Sequence, residues 1–206
     1  MIKIGIVGEH PLNDSDALKA LLENSKRYDK INLSWRIILR NMRGGALDGK
    51  NGAASKKAIK LLQQEFKDHK FNFVIYIRDL DGSPSEDKKI EDRLKWFKLL
   101  DKEGGNNNGI FFLAIFELEA LMLADIATFN KIFKSNIKFK SNPLYQSDPK
   151  EFLIRETRKI RNEYKESDSK RILEQADFDK IFKTHKGEYS FQSFIKELDK
   201  KLGLKN

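Results

Sequence analysis

The 206-residue chain has no cysteine and only three histidines, His10, His69 and His185, scattered along its length. The first absence excludes disulfides, thiolate zinc sites and cysteine nucleophiles, and the second leaves little material for a histidine metal site. Long hydrophobic runs are missing as well. The longest, Ile110–Phe116, ends at Glu117, far short of the ~20 apolar residues that span a bilayer. The start, Met1-Ile2-Lys3-Ile4-Gly5-Ile6-Val7, carries a lysine inside a short apolar run and reaches Glu9 quickly, unlike a secretory signal. These features predict a cytoplasmic protein with no membrane partner. Any chemistry must rest mainly on carboxylates, hydroxyls and lysines.

What the chain has in abundance is charge, 40 Lys/Arg against 31 Asp/Glu, net +9. The excess is uneven. Residues 1–35 are net zero, 36–70 net +6, 71–130 net −4, 131–171 net +6 and 172–206 net +1. An acidic block between two basic ones suits a carboxylate centre with cationic arms that bind a polyanion, whereas solvated helix faces are the plainer explanation.

Hydrophobic periodicity predicts an α/β fold. Strands are expected at Ile2–Val7, Leu33–Leu39, Phe71–Ile77 and Ile110–Ile115, alternating with helices at Asp14–Leu22, Ala53–Asp68, Ser85–Lys102 and Glu117–Asp125. The first helix would be capped by Asn13 or Asp14. Such alternation predicts a mostly parallel central sheet flanked by helices on both faces. From about Thr128 the long apolar runs stop. Residues 1–127 are therefore expected to form the α/β core and 128–206 a mostly helical, basic extension packed on it, with helices after Pro149, at Ala176–Phe182 and at Ser190–Leu202.

Ligands of parallel sheets bind beyond the carboxyl ends of the strands. Glu9 follows the first predicted strand, Asp79 and Asp81 the third, and Glu117 and Glu119 the fourth. Five carboxylates at one sheet edge repel one another unless a cation neutralises them, and an all-oxygen donor set favours Mg²⁺ or Mn²⁺. Alone, an Asp-x-Asp-Gly is more often a polar turn than a metal site.

The order Ile4-Gly5-Ile6-Val7-Gly8-Glu9 and then Val74-Ile75-Tyr76-Ile77-Arg78-Asp79-Leu80-Asp81 resembles the TOPRIM fold of topoisomerases, primases and overcoming-lysogenization-defect-type nucleases. Ala114–Asp125, containing Glu119-Ala120-Leu121-Met122-Leu123-Ala124-Asp125, is similar to the Glu-Ala-Trp-Leu-Leu-Ala-Asp signature of small stand-alone TOPRIM-like proteins, with Leu121 in place of the tryptophan. Ala176-Asp177-Phe178-Asp179 and Phe191–Leu198 are similar to their C-terminal region. The resemblance implies a TOPRIM-like metal-dependent nuclease acting on DNA or RNA, of the kind found in bacterial anti-phage or toxin systems. Glu9, Asp79 and Asp81 would hold one ion, and Glu119 with Glu117 a second ion or the attacking water. One departure is His10-Pro11 after the glutamate, where the family has glycine. The alternative is a non-catalytic, nucleic-acid-binding or regulatory subunit that keeps the scaffold and works with an ATPase partner.

Cationic side chains expected to approach nucleic acid are Arg40, Arg43 and Lys50 around a glycine-rich loop, and Lys134, Lys138 and Lys140 in the second basic block. The latter are interleaved with Phe129, Phe133 and Phe139, which could stack on bases or belong to the core. Gly44–Asn51 also has the glycine and lysine positions of a phosphate-binding P-loop. It fails where Asn51 replaces the magnesium-binding hydroxyl.

Overall fold

The computed structural model describes residues 1–42, 47–50 and 53–204. Strands β1 (Ile2–Gly8), β2 (Leu33–Ile37), β3 (Phe73–Asp79) and β4 (Ile110–Ala114) form one sheet, parallel throughout, in the order β2-β1-β3-β4. Helices α1 (Asp16–Glu23), α2 (Lys56–His69) and α3 (Asp87–Gly104) connect consecutive strands, as parallel pairing requires. After β4 come α4 (Ala120–Ala124), α5 (Ile126–Phe133), α6 (Pro149–Arg158), α7 (Ser169–Leu173), α8 (Phe178–Thr184) and α9 (Phe191–Lys201). The α/β class and the flanked parallel sheet expected from periodicity are what the chain adopts.

Period-two alternation sorts the strand residues onto two covered faces. Ile4, Ile6, Phe73, Ile75, Ile77, Ile110 and Phe112 share one apolar cluster with α1 and with residues of the C-terminal helices such as Phe129, Leu153, Ile172, Phe191 and Leu198. Val7, Val74 and Tyr76 point the other way, toward Ala58, Leu62 and Phe66 of α2 and Trp96 and Leu100 of α3. Residues 128–206 therefore complete the core of the sheet.

Left-handed residues move several predicted boundaries. Leu39 has φ 55°, and β2 stops at Ile37 before that turn. Phe116 has φ 59°, which a β-branched or bulky residue adopts only under tertiary constraint. Its N–H donates to Gly82 O and its carbonyl accepts from Asp81 N–H, tying the ends of β3 and β4 together. The helix expected from Glu117 consequently begins at Ala120. Asp14 was expected to cap α1, yet α1 starts at Asp16 after a wide helical turn, Pro11–Ser15, and the Asp14 carboxylate accepts from the backbone N–H of His10. No helix among the described residues is long and apolar enough to cross a membrane.

Candidate functional site

The strand order reverses its direction of winding between β1 and β3, which leaves a crevice above their carboxyl ends. Gly8, the last residue of β1, has no room for a side chain: a Cβ there would lie 2.7 Å from Ile77 Cγ2 and 2.7 Å from Ser15 Oγ. Glycine at this position thus lets the turn carrying Asp14 press against the strand end. Asp79 closes β3 on the face shared by Ile75 and Ile77, toward α1 and the C-terminal helices. Glu117 and Glu119 enter from the connection between β4 and α4.

These elements enclose a polar cleft of about 120 Å³ lined by Glu9, Asp79, Asp81, Glu117 and Glu119. All five carboxylates expected from strand-end positions meet there. Asp14, Asn13, His10, Lys150, Glu166 and Ser169 complete the wall. Either Asn13 or Asp14 was expected to cap α1, and Lys150 and Glu166 carried no expected role. Their positions carry no strand-end signal, because Lys150 arrives at the start of α6 and Glu166 on a short 3-10 turn, Glu166–Asp168, far from the strands in sequence.

Charge compensation is uneven across the cleft. Asp81 pairs with Arg93 at 3.2 Å, and Glu9 lies 3.7 Å from Arg78 Nε. The Lys150 ammonium is 3.1 Å from Glu117 Oε1 and 3.0 Å from Glu166 Oε1. Glu117 Oε2 also accepts from the Lys150 backbone N–H at 3.1 Å. Asp148 offers no side-chain cap to α6, so Glu117 supplies both an acceptor and a negative charge at that helix start. Its role is therefore structural as well as electrostatic, which the expectation of a metal ligand did not include.

Among the described residues no ion pair falls on Asp79, Asp14 or Glu119, although the charge of Lys150 also acts to lower Glu119. Asp79 Oδ1 is sealed from solvent and has no hydrogen-bond partner among the described residues. Burial raises the Asp79 carboxyl well above its ordinary value, and the charges of Asp14 and Glu119 push it further. Burial raises Asp14 to about 6, against the opposing effect of His10. Burial also raises Glu119 to about 7, opposed by a hydrogen bond from Tyr164 and reinforced by Glu117. The Tyr164 hydroxyl donates to Glu119 Oε1 at 2.9 Å and lies 2.9 Å from Ser169 Oγ. Lys150 feels the opposite balance: burial lowers it, but hydrogen bonds to Glu166 and Glu117 outweigh that and raise it.

The donor chemistry, carboxylate oxygens with one buried and unpartnered, suits a hard divalent cation. Among the described residues, however, no three acidic or histidine side chains converge as a preformed metal shell. Arg93 and Arg78 hold Asp81 and Glu9 toward themselves, and Lys150 holds Glu117. A bound ion would have to exchange with at least part of this cationic lining.

The expected nucleic-acid contacts lie elsewhere. Arg40 is exposed and 3.4 Å from Asp16, and Lys50, Lys134, Lys138 and Lys140 are exposed outside the cleft wall. Arg43, with much of the glycine-rich loop, lies outside the described residues. Phe129 and Phe133 are buried, with ring centroids 4.5 Å apart, and Phe139 packs against Phe152 at 6.0 Å. Phe129 and Phe133 serve the core and offer no stacking platform for bases, whereas Phe139 is half-buried at its margin. Arg78, which sequence reading passed over, is a buried cation at the sheet edge. Its guanidinium grips Asp48 through two 2.6 Å hydrogen bonds and lies 4.7 Å from the Trp96 ring centroid.

The fold and site define a parallel α/β protein with an acidic cleft at the switch point of its sheet. Residues 14–199 match the model of the family described as Domain of unknown function (DUF4276), and the chain belongs to that family. Neither the curated proteins nor the solved structures include a match to the chain.

Proposed function

We propose that this protein is a TOPRIM-like, Mg²⁺- or Mn²⁺-dependent nuclease that hydrolyses phosphodiester bonds of DNA or RNA. The observation that carries this reading is the buried Asp79 Oδ1, without a hydrogen-bond partner among the described residues and beside Asp14 and Glu119, whose charges push its carboxyl up. Retaining an uncompensated group of this kind is costly unless a ligand completes it.

Asp79 would hold the ion, with Glu9 and Asp81 on the strand side, and Glu119 on the β4 side would face the attacking water. Bound there, a divalent ion supplies neutralisation of the carboxylates and Lewis acidity toward a phosphate oxygen. Glu119, raised to about 7, has the basicity of a group that takes a proton from water near neutral pH. Tyr164, itself hydrogen-bonded to Ser169, fixes its orientation. Lys150 at the wall would offset charge on a bound phosphate. The net charge of +9 favours approach of a nucleic acid.

A second reading is a non-catalytic nucleic-acid-binding or regulatory subunit working with an ATPase partner. The arginine contacts of Glu9 and Asp81 favour it, since they partly satisfy the site without an ion. The two readings separate on one experiment. Plasmid, single-stranded DNA and tRNA are incubated with the purified protein, with Mg²⁺, with Mn²⁺ or with EDTA, beside Asp79→Asn. Cleavage that needs the metal and is lost in the variant is the expected result; equal inertness of both proteins, alone and with an ATPase partner, overturns the nuclease.

A further inference from the structure

Both carboxylate oxygens of Glu117 are engaged by one residue. Lys150 reaches Oε1 with its ammonium, 3.1 Å away, and Oε2 with its backbone N–H, 3.1 Å away. The same ammonium is 3.0 Å from Glu166 Oε1, while Glu166 Oε2 accepts from Asn13 Nδ2 at 3.3 Å. This arrangement is built by the fold. Pro149 begins α6 and places Lys150 in its first turn, where an N–H has no partner inside the helix. Across the cleft, Asp79 Oδ1 is buried and has no hydrogen-bond partner among the described residues.

The cleft is thus divided. In one half a single ammonium bridges two carboxylates, Glu117 and Glu166; in the other, Arg78 and Arg93 each sit beside one carboxylate, Glu9 and Asp81, and no ion pair among the described residues reaches Asp79. A divalent ion entering the Glu117–Glu166 half would have to displace an ammonium from two carboxylates and a backbone N–H from one of them. If the ammonium stayed, the ion would lie beside a like charge.

We propose that Lys150 is the resident second cation of this site, so that the cleft takes up a single divalent ion, on the Asp79 side. An ammonium has three donors. Two are directed at Glu117 and Glu166, and the third remains for an oxygen of the substrate phosphate. Lys150 therefore does for the phosphate what a second metal ion does in two-metal sites, without the geometric demands of a metal shell. This inference rests on the metal-dependent reading above and extends it by fixing the number of ions and the residue that replaces the other.

The test is a Mn²⁺ titration of the full chain, followed by the electron paramagnetic resonance signal of free Mn²⁺, for wild type, Lys150→Met, Lys150→Arg and Asp79→Asn. Circular dichroism establishes that each variant is folded. Wild type and Lys150→Arg are expected to bind one ion, and Lys150→Met two, the vacated Glu117–Glu166 half accepting the extra one. Asp79→Asn is expected to bind Mn²⁺ at least about tenfold more weakly. Two ions in wild type overturn the inference while leaving the metal reading intact, and so does a single ion in folded Lys150→Met. If Lys150→Met does not fold, the wild-type stoichiometry still decides. Absence of Mn²⁺ binding in wild type overturns the metal reading and this inference together.

Discussion

Tyr164 and Glu119, 45 residues apart in sequence, meet through a 2.9 Å hydrogen bond that is closed to solvent. The contact joins the loop before α7 to the start of α4, and through it the C-terminal helices fix a carboxylate of the cleft. Tyr164→Phe removes one donor from a buried acceptor. The expected loss is about 1–3 kcal/mol of unfolding free energy, read by urea denaturation near pH 8, where Glu119 is mostly ionised. The hydrogen bond holds the Glu119 carboxyl down, so the variant should also titrate above about 7. A carboxyl-detected NMR titration of Glu119 checks this, and an unchanged or lowered midpoint would contradict it.

Asp79→Asn is expected to make the ion-free protein more stable. Burial, Asp14 and Glu119 raise the Asp79 carboxyl in the fold. For a raised carboxyl, the folded state binds the proton more tightly than the unfolded one. Its favourable contribution is present below the unfolded value, near 4, and is lost as pH rises through the folded value. Asparagine keeps the shape and carries no charge. Denaturation in EDTA should therefore show the variant gaining about 1–3 kcal/mol over wild type at pH 8 and little at pH 4. Added Mn²⁺ should stabilise wild type and leave the variant nearly unmoved, as linkage to a ligand of the native state requires.

Arg78 should not tolerate lysine. Its planar fork makes two hydrogen bonds to Asp48, and its face covers Trp96. A lysine ammonium can neither bond both oxygens in parallel nor stack as a plane. Arg78→Lys is expected to lose about 1–3 kcal/mol in urea denaturation. Cleavage by a protease around residues 47–50 should rise with it, because Asp48 is held to the sheet by this pair. Equal protease sensitivity of wild type and variant would show that the loop is held some other way.

Strand-end carboxylates were legible in the sequence because alternation fixes where a strand stops, and parallel topology sends every such end to one edge. Glu9, Asp79, Asp81, Glu117 and Glu119 could be grouped on that basis alone. What periodicity cannot show is pairing across distance. Nothing local distinguishes Lys150 from the other lysines of the second basic block; only the docking of α6 against the β4 end brings it to Glu117. Asp14 was misplaced for a related reason. An acid before a helix is ordinarily a cap, and here the turn Pro11–Ser15 directs it into the cleft. Phe129 and Phe133 illustrate the opposite limit: lysine interleaving suggested nucleic-acid stacking, but their helical spacing puts both rings in the core. The short α7 was likewise unreadable, since five residues give too little period to separate a helix from a loop.

His185 provides a pH test remote from the cleft. The side chain is only 1% exposed, and its Nδ1 accepts from the Phe191 N–H at 2.9 Å. Burial lowers its pKa to about 4 from an ordinary 6.5. For a lowered histidine, the unfolded chain binds the proton first. Stability is fully present above pH 6.5 and declines as pH falls toward 4, where the folded state also protonates; the shift corresponds to about 3 kcal/mol. His185→Asn keeps an acceptor near the Nδ1 position and does not titrate. At pH 7.5 the variant should be less stable by about 1–2 kcal/mol, for the lost ring packing. Between pH 6.5 and 4 wild type should lose that advantage and the order should reverse. Every other titrating group is common to both proteins, so the difference between their urea-denaturation free energies isolates the histidine. Parallel pH profiles would mean that His185 is protonated in the fold as readily as in the unfolded chain.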